Sequence, residues 1–281
     1  MTRRCQASCS SLEQLELRTL PAVTVTLSGG GVLKIKGNAA GDDVLVEGLG
    51  NSGNVSVRVN GNLVDNFDGV KNIKATLGDG NDSLELQAVE IPGNLTVNLG
   101  DGADEFIIED DTEIAGFVKA NLGGDTGDFV EWKRRVEIGG NVTLNGVADL
   151  NLEGLGASSA NDAEDIDIGG NLIIKLANSA DVNGDNEELE LSNVNVFGKT
   201  TLTGSNKTDR LDIFDSSFVG NFIANLGDGD DEIDVATEAV DKNEFLAAAI
   251  FNGGDGDDEA KFGDENDFAQ PQVVNNFETV S

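Results

Sequence analysis

The sequence predicts an all-β fold, a right-handed parallel β-solenoid of about ten coils, and three observations lead there. Stretches such as Leu95-Thr96-Val97-Asn98-Leu99 alternate apolar and polar residues, which turns every second side chain of an extended chain toward one face. Each stretch runs into a tight turn of Gly and Asp, and the unit recurs: Leu77-Gly78-Asp79-Gly80-Asn81-Asp82 is followed by the near copy Leu99-Gly100-Asp101-Gly102-Ala103-Asp104. The recurrence has a period in the low twenties, a length that belongs to solenoid coils.

Anchored on the position just before each acidic turn, the repeat falls at Gly37, Val59, Leu77, Leu99, Leu122, Gly146, Leu176, Gly204, Leu226 and Gly253, with gaps of 18 to 30 residues. A second marker, Gly-Asn just before the strand, stands at Asn54, Asn94, Asn141, Asn171 and Asn221. One coil cannot bury its apolar side alone, so neighbours stack and share a core. The usual handedness preference of parallel crossovers makes the expected winding right-handed.

Composition narrows the class. With 36 Gly, 3 Pro and no triplet period, neither collagen nor a disordered Gly/Pro tract fits. The 52 acidic against 18 basic residues give a net charge of −34. That excludes phosphate-backbone recognition, so no nucleic-acid partner is expected and cations are the natural ones. Acidity alone also serves solubility. No span reaches the length of a transmembrane helix.

Along the chain, residues 1–22 form a leader or N-terminal cap, 23–267 the solenoid and 268–281 a C-terminal strand or cap. The leader is basic at its start and lacks strand alternation; its Cys5 and Cys9 are the only cysteines, which excludes a disulfide framework for the body. They are also too few for zinc in a chain without His. From Leu12 to Leu20 the sequence resembles the short Leu-Glu-x-Leu-Glu-x-Arg leader of planctomycete surface and extracellular repeat proteins, which implies export; a short amphipathic helix capping the first coil is the other reading.

The solenoid opens with Val32-Leu33-Lys34-Ile35 and a loose acidic turn through Asp42. A second coil on Val55, Val57 and Val59 turns at Asn60-Gly61-Asn62 without Asp and reads as structural only. Coils three and four carry the paired turns. In the fifth, Leu122 to Phe129 keeps the turn but shifts each acid by one position. Trp132 to Arg135 reads as a sugar-stacking platform, as an anion contact, or as a solvated strand face with an aromatic packed on a corner. Longer coils follow, with polar insertions at 156–165 and 178–188 placed on the outside. The acidic turn returns at Gly227 to Asp231 and Gly253 to Asp258, and Ala-rich residues 237–249 between them predict a short interrupting helix.

These turns resemble a known family. Gly253-Gly254-Asp255-Gly256-Asp257-Asp258-Glu259-Ala260-Lys261 is similar to the nonapeptide of RTX, or haemolysin-type, calcium-binding repeats. Residues 78–84, 100–106 and 227–233 match all but its first position. The resemblance implies Ca2+ held between stacked turns by Asp82, Asp104, Asp231 and Asp258, with Asp79, Asp101, Asp228 and Asp255 as neighbours. Family repeats recur every nine residues, whereas here one acidic turn stands in each coil, so a site forms between successive coils along one edge. Turns of Gly, Asp and Asn also arise simply because these residues turn the chain.

The expected function is that of a noncatalytic, exported, calcium-binding solenoid, secreted or on the cell surface, serving as a structural or adhesive module against extracellular polysaccharide or a surface layer. The alternative is a polysaccharide lyase or glycoside hydrolase, since parallel β-helices host such enzymes. No His, no Tyr and no basic residue near the acidic turns speak against proton abstraction there, although carboxylates are plentiful enough for a glycosidase. An ice-binding ladder is the weakest reading, because Thr24, Thr26, Thr200, Thr201 and Thr203 do not repeat in register.

Overall fold

A computed structural model of the chain describes residues 23–281 apart from 126, 155–164, 179–186 and 237–241. The leader, and most of the two insertions at 156–165 and 178–188, lie outside the described residues. One winding shows the plan: Leu95–Asp101 runs on a first face, Glu105–Glu109 on a second and Thr112–Ile114 on a third, before Val118–Asn121 returns to the first. Each strand pairs in parallel with its counterparts one winding before and after, so Val97 lies between Ala75 and Ala120 and Ile108 between Leu86 and Trp132. Among the described residues the faces hold 11, 12 and 8 strands.

The chain is therefore an all-β parallel solenoid, with eight complete three-sided turns in place of about ten. The strands Val32–Lys36 and Asp43–Gly48 begin an incomplete winding before them, and Val273–Asn275 with Thr279–Val280 begin another after them. Two anchors fail. Val59 belongs to the strand Val55–Val59, which pairs antiparallel with Asp43–Gly48 and with Asn62–Phe67. The turn between them is Asn60-Gly61 with φ of 49° and 73°, the two-residue hairpin geometry whose twist suits adjoining strands. Gly146 is the extra residue of a bulge: the register passes from Asn145 opposite Lys175 to Val147 opposite Leu176, and Val147 takes the core position.

Three corner chemistries bend the chain. Between first and second faces stand the acidic turns. Between second and third, a left-handed residue recurs at Ala88, Arg134, Asn193, Asp215 and Ala236, and the consecutive pair Asp110-Asp111 takes its place in one winding. Between third and first, Asn side chains accept from the backbone of the next winding: Asn94 N–H donates to Asn72 Oδ1 at 2.9 Å, Phe117 N–H to Asn94 Oδ1 at 3.0 Å, and Asn171 N–H to Asn141 Oδ1 at 2.8 Å.

Stacking builds the core in columns. Ile91, Ile114, Ile138, Ile168, Val196, Phe218 and Phe245 follow one another inside the third face, all buried. On the first face Phe222 lies opposite Ala249 and Ala224 opposite Phe251, so bulk in one winding meets a small residue in the next. Trp132 is fully buried, edge-on to Phe106 with centroids 6.2 Å apart, and is not a sugar platform. Its alternation within Phe129–Lys133 points it inward, while Lys133, Arg134 and Arg135 pair outside with Glu131, Asp110 and Asp111.

The expected helix at 237–249 does not form over its described part. Glu244–Phe245 is a strand of the third face, pairing with Ser217–Phe218 and Asp267–Phe268. Helix propensity is overridden by a ring stack: Phe245 lies 5.2 Å from Phe218 and 4.7 Å from Phe268, nearly parallel to both. Phe245→Ala is expected to lower stability by about 3–5 kcal/mol, whereas exposed Leu246→Ala should stay within about 0.5 kcal/mol. Urea unfolding checks both, and equal effects would show that the stack contributes nothing special.

Candidate metal centre

The edge between first and second faces carries two ladders of carboxylates, all buried except the terminal Glu278. In the first, Asp42 N–H donates to Asp82 Oδ1 at 2.8 Å, Asp82 N–H to Asp104 Oδ1 at 2.9 Å and Asp104 N–H to Asp128 Oδ1 at 3.1 Å. In the second, Asp209 N–H donates to Asp231 Oδ1 at 2.8 Å, Asp231 N–H to Asp258 Oδ1 at 2.8 Å and Asp258 N–H to Glu278 Oε2 at 2.7 Å. The rungs exist because each winding brings its acidic turn under the next, at a strand spacing of about 4.8 Å. Such close approach demands glycine: Gly100 has φ 122°, and a Cβ on it would stand 1.5 Å from Gly78 O.

What the second carboxylate oxygen does depends on the turn. In the seven-residue turn ending at Asp128, the N–H groups of Gly124 and Asp125 both donate to Asp128 Oδ2, at 3.0 and 2.9 Å. Asp209 accepts from Ser205 N–H at 2.7 Å and Ser205 Oγ at 2.9 Å. In the Gly-Asp-Gly turns no such donor reaches inward. Oδ2 of Asp82, Asp104, Asp231 and Asp258 is buried without a hydrogen bond, as are both oxygens of Asp42.

Electrostatics follows from that burial. Loss of solvent pushes Asp82 up to about 6, with the charges of Asp42 and Asp79 adding to it and the Asp42 N–H opposing. Burial pushes Asp104 up to about 7, beside the charges of Asp128, Asp82 and Asp125, and Asp231 up to about 7, beside Asp209, Asp258 and Asp230. Asp128 rises to about 6 and Asp258 is also raised, again chiefly through burial. Each ladder therefore holds negative charge where water cannot reach it.

The eight residues singled out by sequence divide cleanly. Asp82, Asp104, Asp231 and Asp258 are the buried rungs. Asp79, Asp101, Asp228 and Asp255 are exposed at the ends of the first-face strands, with Asp79 opposite Asp101 and Asp228 opposite Asp255. Among the described residues no group of three or more acidic or Cys side chains gathers around one point, so an ion here would take further donors from the backbone. Such donors stand close by. A Cβ on Gly253 would lie 2.4 Å from Asp258 Oδ2 and 2.3 Å from Asn276 O, and one on Gly37 would lie 3.0 Å from Asp42 Oδ2 and 2.4 Å from Leu77 O. The side-chain-free spot faces a carboxylate oxygen and a carbonyl oxygen.

Asp42, Asp128, Asp209 and Glu278 complete the ladders and were not among those candidates. For the three Asp residues the signal is an acid two residues before a second-face core residue, as in Asp42-Asp43-Val44 and Asp128-Phe129-Val130, and it survives where the glycine pattern is lost; Glu278 precedes the exposed Val280 and lacks it. Comparison with protein-family models, curated proteins and solved structures finds no match for this chain.

The raised values fix the sign of a pH dependence. Between the ordinary 3.8 and the folded values of about 6 to 7, the folded chain binds more protons than the unfolded one, so stability falls as pH rises through that window. Without metal, the melting temperature is expected to be higher at pH 5 than at pH 8. Asp104→Asn combined with Asp231→Asn keeps the Oδ1 acceptor, removes the buried charge and should flatten the difference. A double variant with the wild-type pH profile would disprove the link to these rungs.

Proposed function

We propose that this chain is a noncatalytic calcium-binding solenoid that serves as an exported structural or adhesive module. The observation that carries the reading is the set of buried, hydrogen-bond-free Oδ2 atoms of Asp82, Asp104, Asp231 and Asp258 on one edge, with a carbonyl oxygen, that of Asn276, standing close to the Oδ2 of Asp258. Two charges about 5 Å apart repel by about 3 kcal/mol at an effective dielectric near 20, a large share of a typical stability margin. A cation between rungs relieves this repulsion and fills the empty coordination of Oδ2. All-oxygen donors on glycine-rich turns suit calcium better than magnesium, which demands stricter octahedral geometry.

Asp82 with Asp104, and Asp231 with Asp258, would hold the ions, and Asp79, Asp101, Asp228 and Asp255 would draw them in. Asp128 and Asp209, whose oxygens already accept donors from their own turns, lie outside the proposed ligand set. The resemblance of the turns to RTX repeats supports calcium, and that of residues 12–20 to an export leader supports an extracellular setting, where weak calcium sites suffice. Calcium in this reading supplies neutralisation and rigidity.

Calcium titration into chelator-treated protein, followed by thermal melting, tests the reading. At a concentration of about 100 times Kd, one site should add about 2.7 kcal/mol of stability. The Asp104→Asn, Asp231→Asn double variant should melt independently of calcium. No gain in the wild type, or an undiminished gain in the double variant, would refute the assignment.

A further inference from the structure

We propose that a notch on the third face takes a protonated amino-sugar unit of a linear polysaccharide, an inference that rests on the reading of the chain as an adhesive module. The notch has a volume of about 400 Å³ and is lined by Glu113, Ala115, Glu137, Gly139, Asp167 and Phe197, among others. It lies beside the corner between third and first faces, away from the acidic edge, and each wall has a distinct chemistry.

The floor is Ala115, Gly139 and Gly169, one residue from each of three successive windings, where the next winding places Phe197. Bulk is excluded from part of this floor by packing, since a Cβ on Gly139 would stand 2.4 Å from Ala115 O. Phe197 closes one end and is 57 % exposed, the most exposed large apolar residue among those described. Beside the floor, two residues earlier in each winding, Glu113, Glu137 and Asp167 stand in direct register on adjacent strands, so their carboxylates repeat at about 4.8 Å along the rod. Arg135 reaches Glu137 at 3.4 Å, and Asn195 donates to Asp167 at 2.9 Å. All three acidic residues line the notch.

The occupant follows from these walls. Three in-register carboxylates with a single weak cationic contact call for positive charge, and an exposed ring offers its face to a cation or to a flat ring lying against it. The floor also says what the ligand is not. The N–H groups of Ala115, Gly139, Gly169 and Phe197 donate to Ile91, Ile114, Ile138 and Ile168 of the preceding windings. They are spent and cannot pair with an added peptide strand, so recognition falls on side chains alone. A chain of protonated pyranose rings meets each requirement: amines for the carboxylates, hydroxyls for their remaining lone pairs, and ring faces for Phe197. The equal steps of the acidic column suit a polymer whose charges also repeat.

Titration calorimetry of the full chain with a β-linked glucosamine oligomer, its fully N-acetylated counterpart and an oligolysine of equal charge tests this. The glucosamine oligomer should bind, and acetylation should weaken it at least about tenfold. Phe197→Ala, which leaves the net charge unchanged and so cannot act through nonspecific attraction, should cost about tenfold as well. Glu113→Gln with Glu137→Gln should cost more, with circular dichroism unchanged for all variants. No binding, equal binding of the acetylated oligomer, or binding indifferent to Phe197→Ala would overturn the proposal, and tighter, Phe197-dependent binding of oligolysine would reassign the notch to a basic peptide. Running each titration in calcium and in chelator keeps the two readings apart, because the calcium assignment stands or falls on melting temperature. Shortened oligomers after incubation would overturn the noncatalytic reading and leave the notch as the site.

Discussion

In-register parallel stacking is the constraint on which the rest of this molecule depends. When each winding lays its strands directly on the last, every residue sits about 4.8 Å from its own counterpart. Like must therefore tolerate like. The isoleucine column inside the third face does so readily, because apolar side chains gain contact and lose water together. Phenylalanines do so by stacking rings from Phe218 through Phe245 to Phe268. Where bulk on both sides would collide, the sequence alternates size, as with Phe222 against Ala249.

The same constraint gives opposite results at two corners. At the Asn corner the side-chain carbonyl accepts from the next backbone N–H, and the amide carries no charge that needs an answer. At the Asp corner Oδ1 accepts in the same manner, but Oδ2 and a full negative charge remain. Burial then penalises the charged form, which is why Asp104 and Asp231 rise to about 7. An arrangement costly by itself and relieved by a cation or a proton is what couples stability to the surrounding solution.

Departures from the repeat are as informative as the repeat. The bulge at Gly146 and the longer winding after it separate the two ladders, so the acidic edge is two short columns. At the start, the antiparallel strands Val55–Val59 and Asn62–Phe67 cover the edge of the second face, and Thr24–Leu27 covers that of the first. Thr24–Leu27 and Asn62–Phe67 are themselves the outermost strands of their sheets, so they end the parallel stacking on that side and carry its edge. On the third face, small residues in three windings followed by Phe197 open the notch, a feature made by one change of size along a column.

Much of this was legible in the residues themselves. Alternation in Leu95 to Leu99 determined a strand and its buried side, the recurrence of Leu-Gly-Asp-Gly determined a wound chain, and the spacing placed Asp82, Asp104, Asp231 and Asp258 as equivalent positions. Even the hairpin at Asn60-Gly61 was written locally, though the repeat pattern masked it. Only the tertiary structure decided that Trp132 turns inward, that Phe245 joins a strand and that Asp128 satisfies an oxygen which Asp104 leaves bare. The reason is physical: periodicity and turn chemistry act between near neighbours in sequence. Burial, ring stacking and the fate of a carboxylate oxygen depend instead on atoms one winding away, more than twenty residues along the chain.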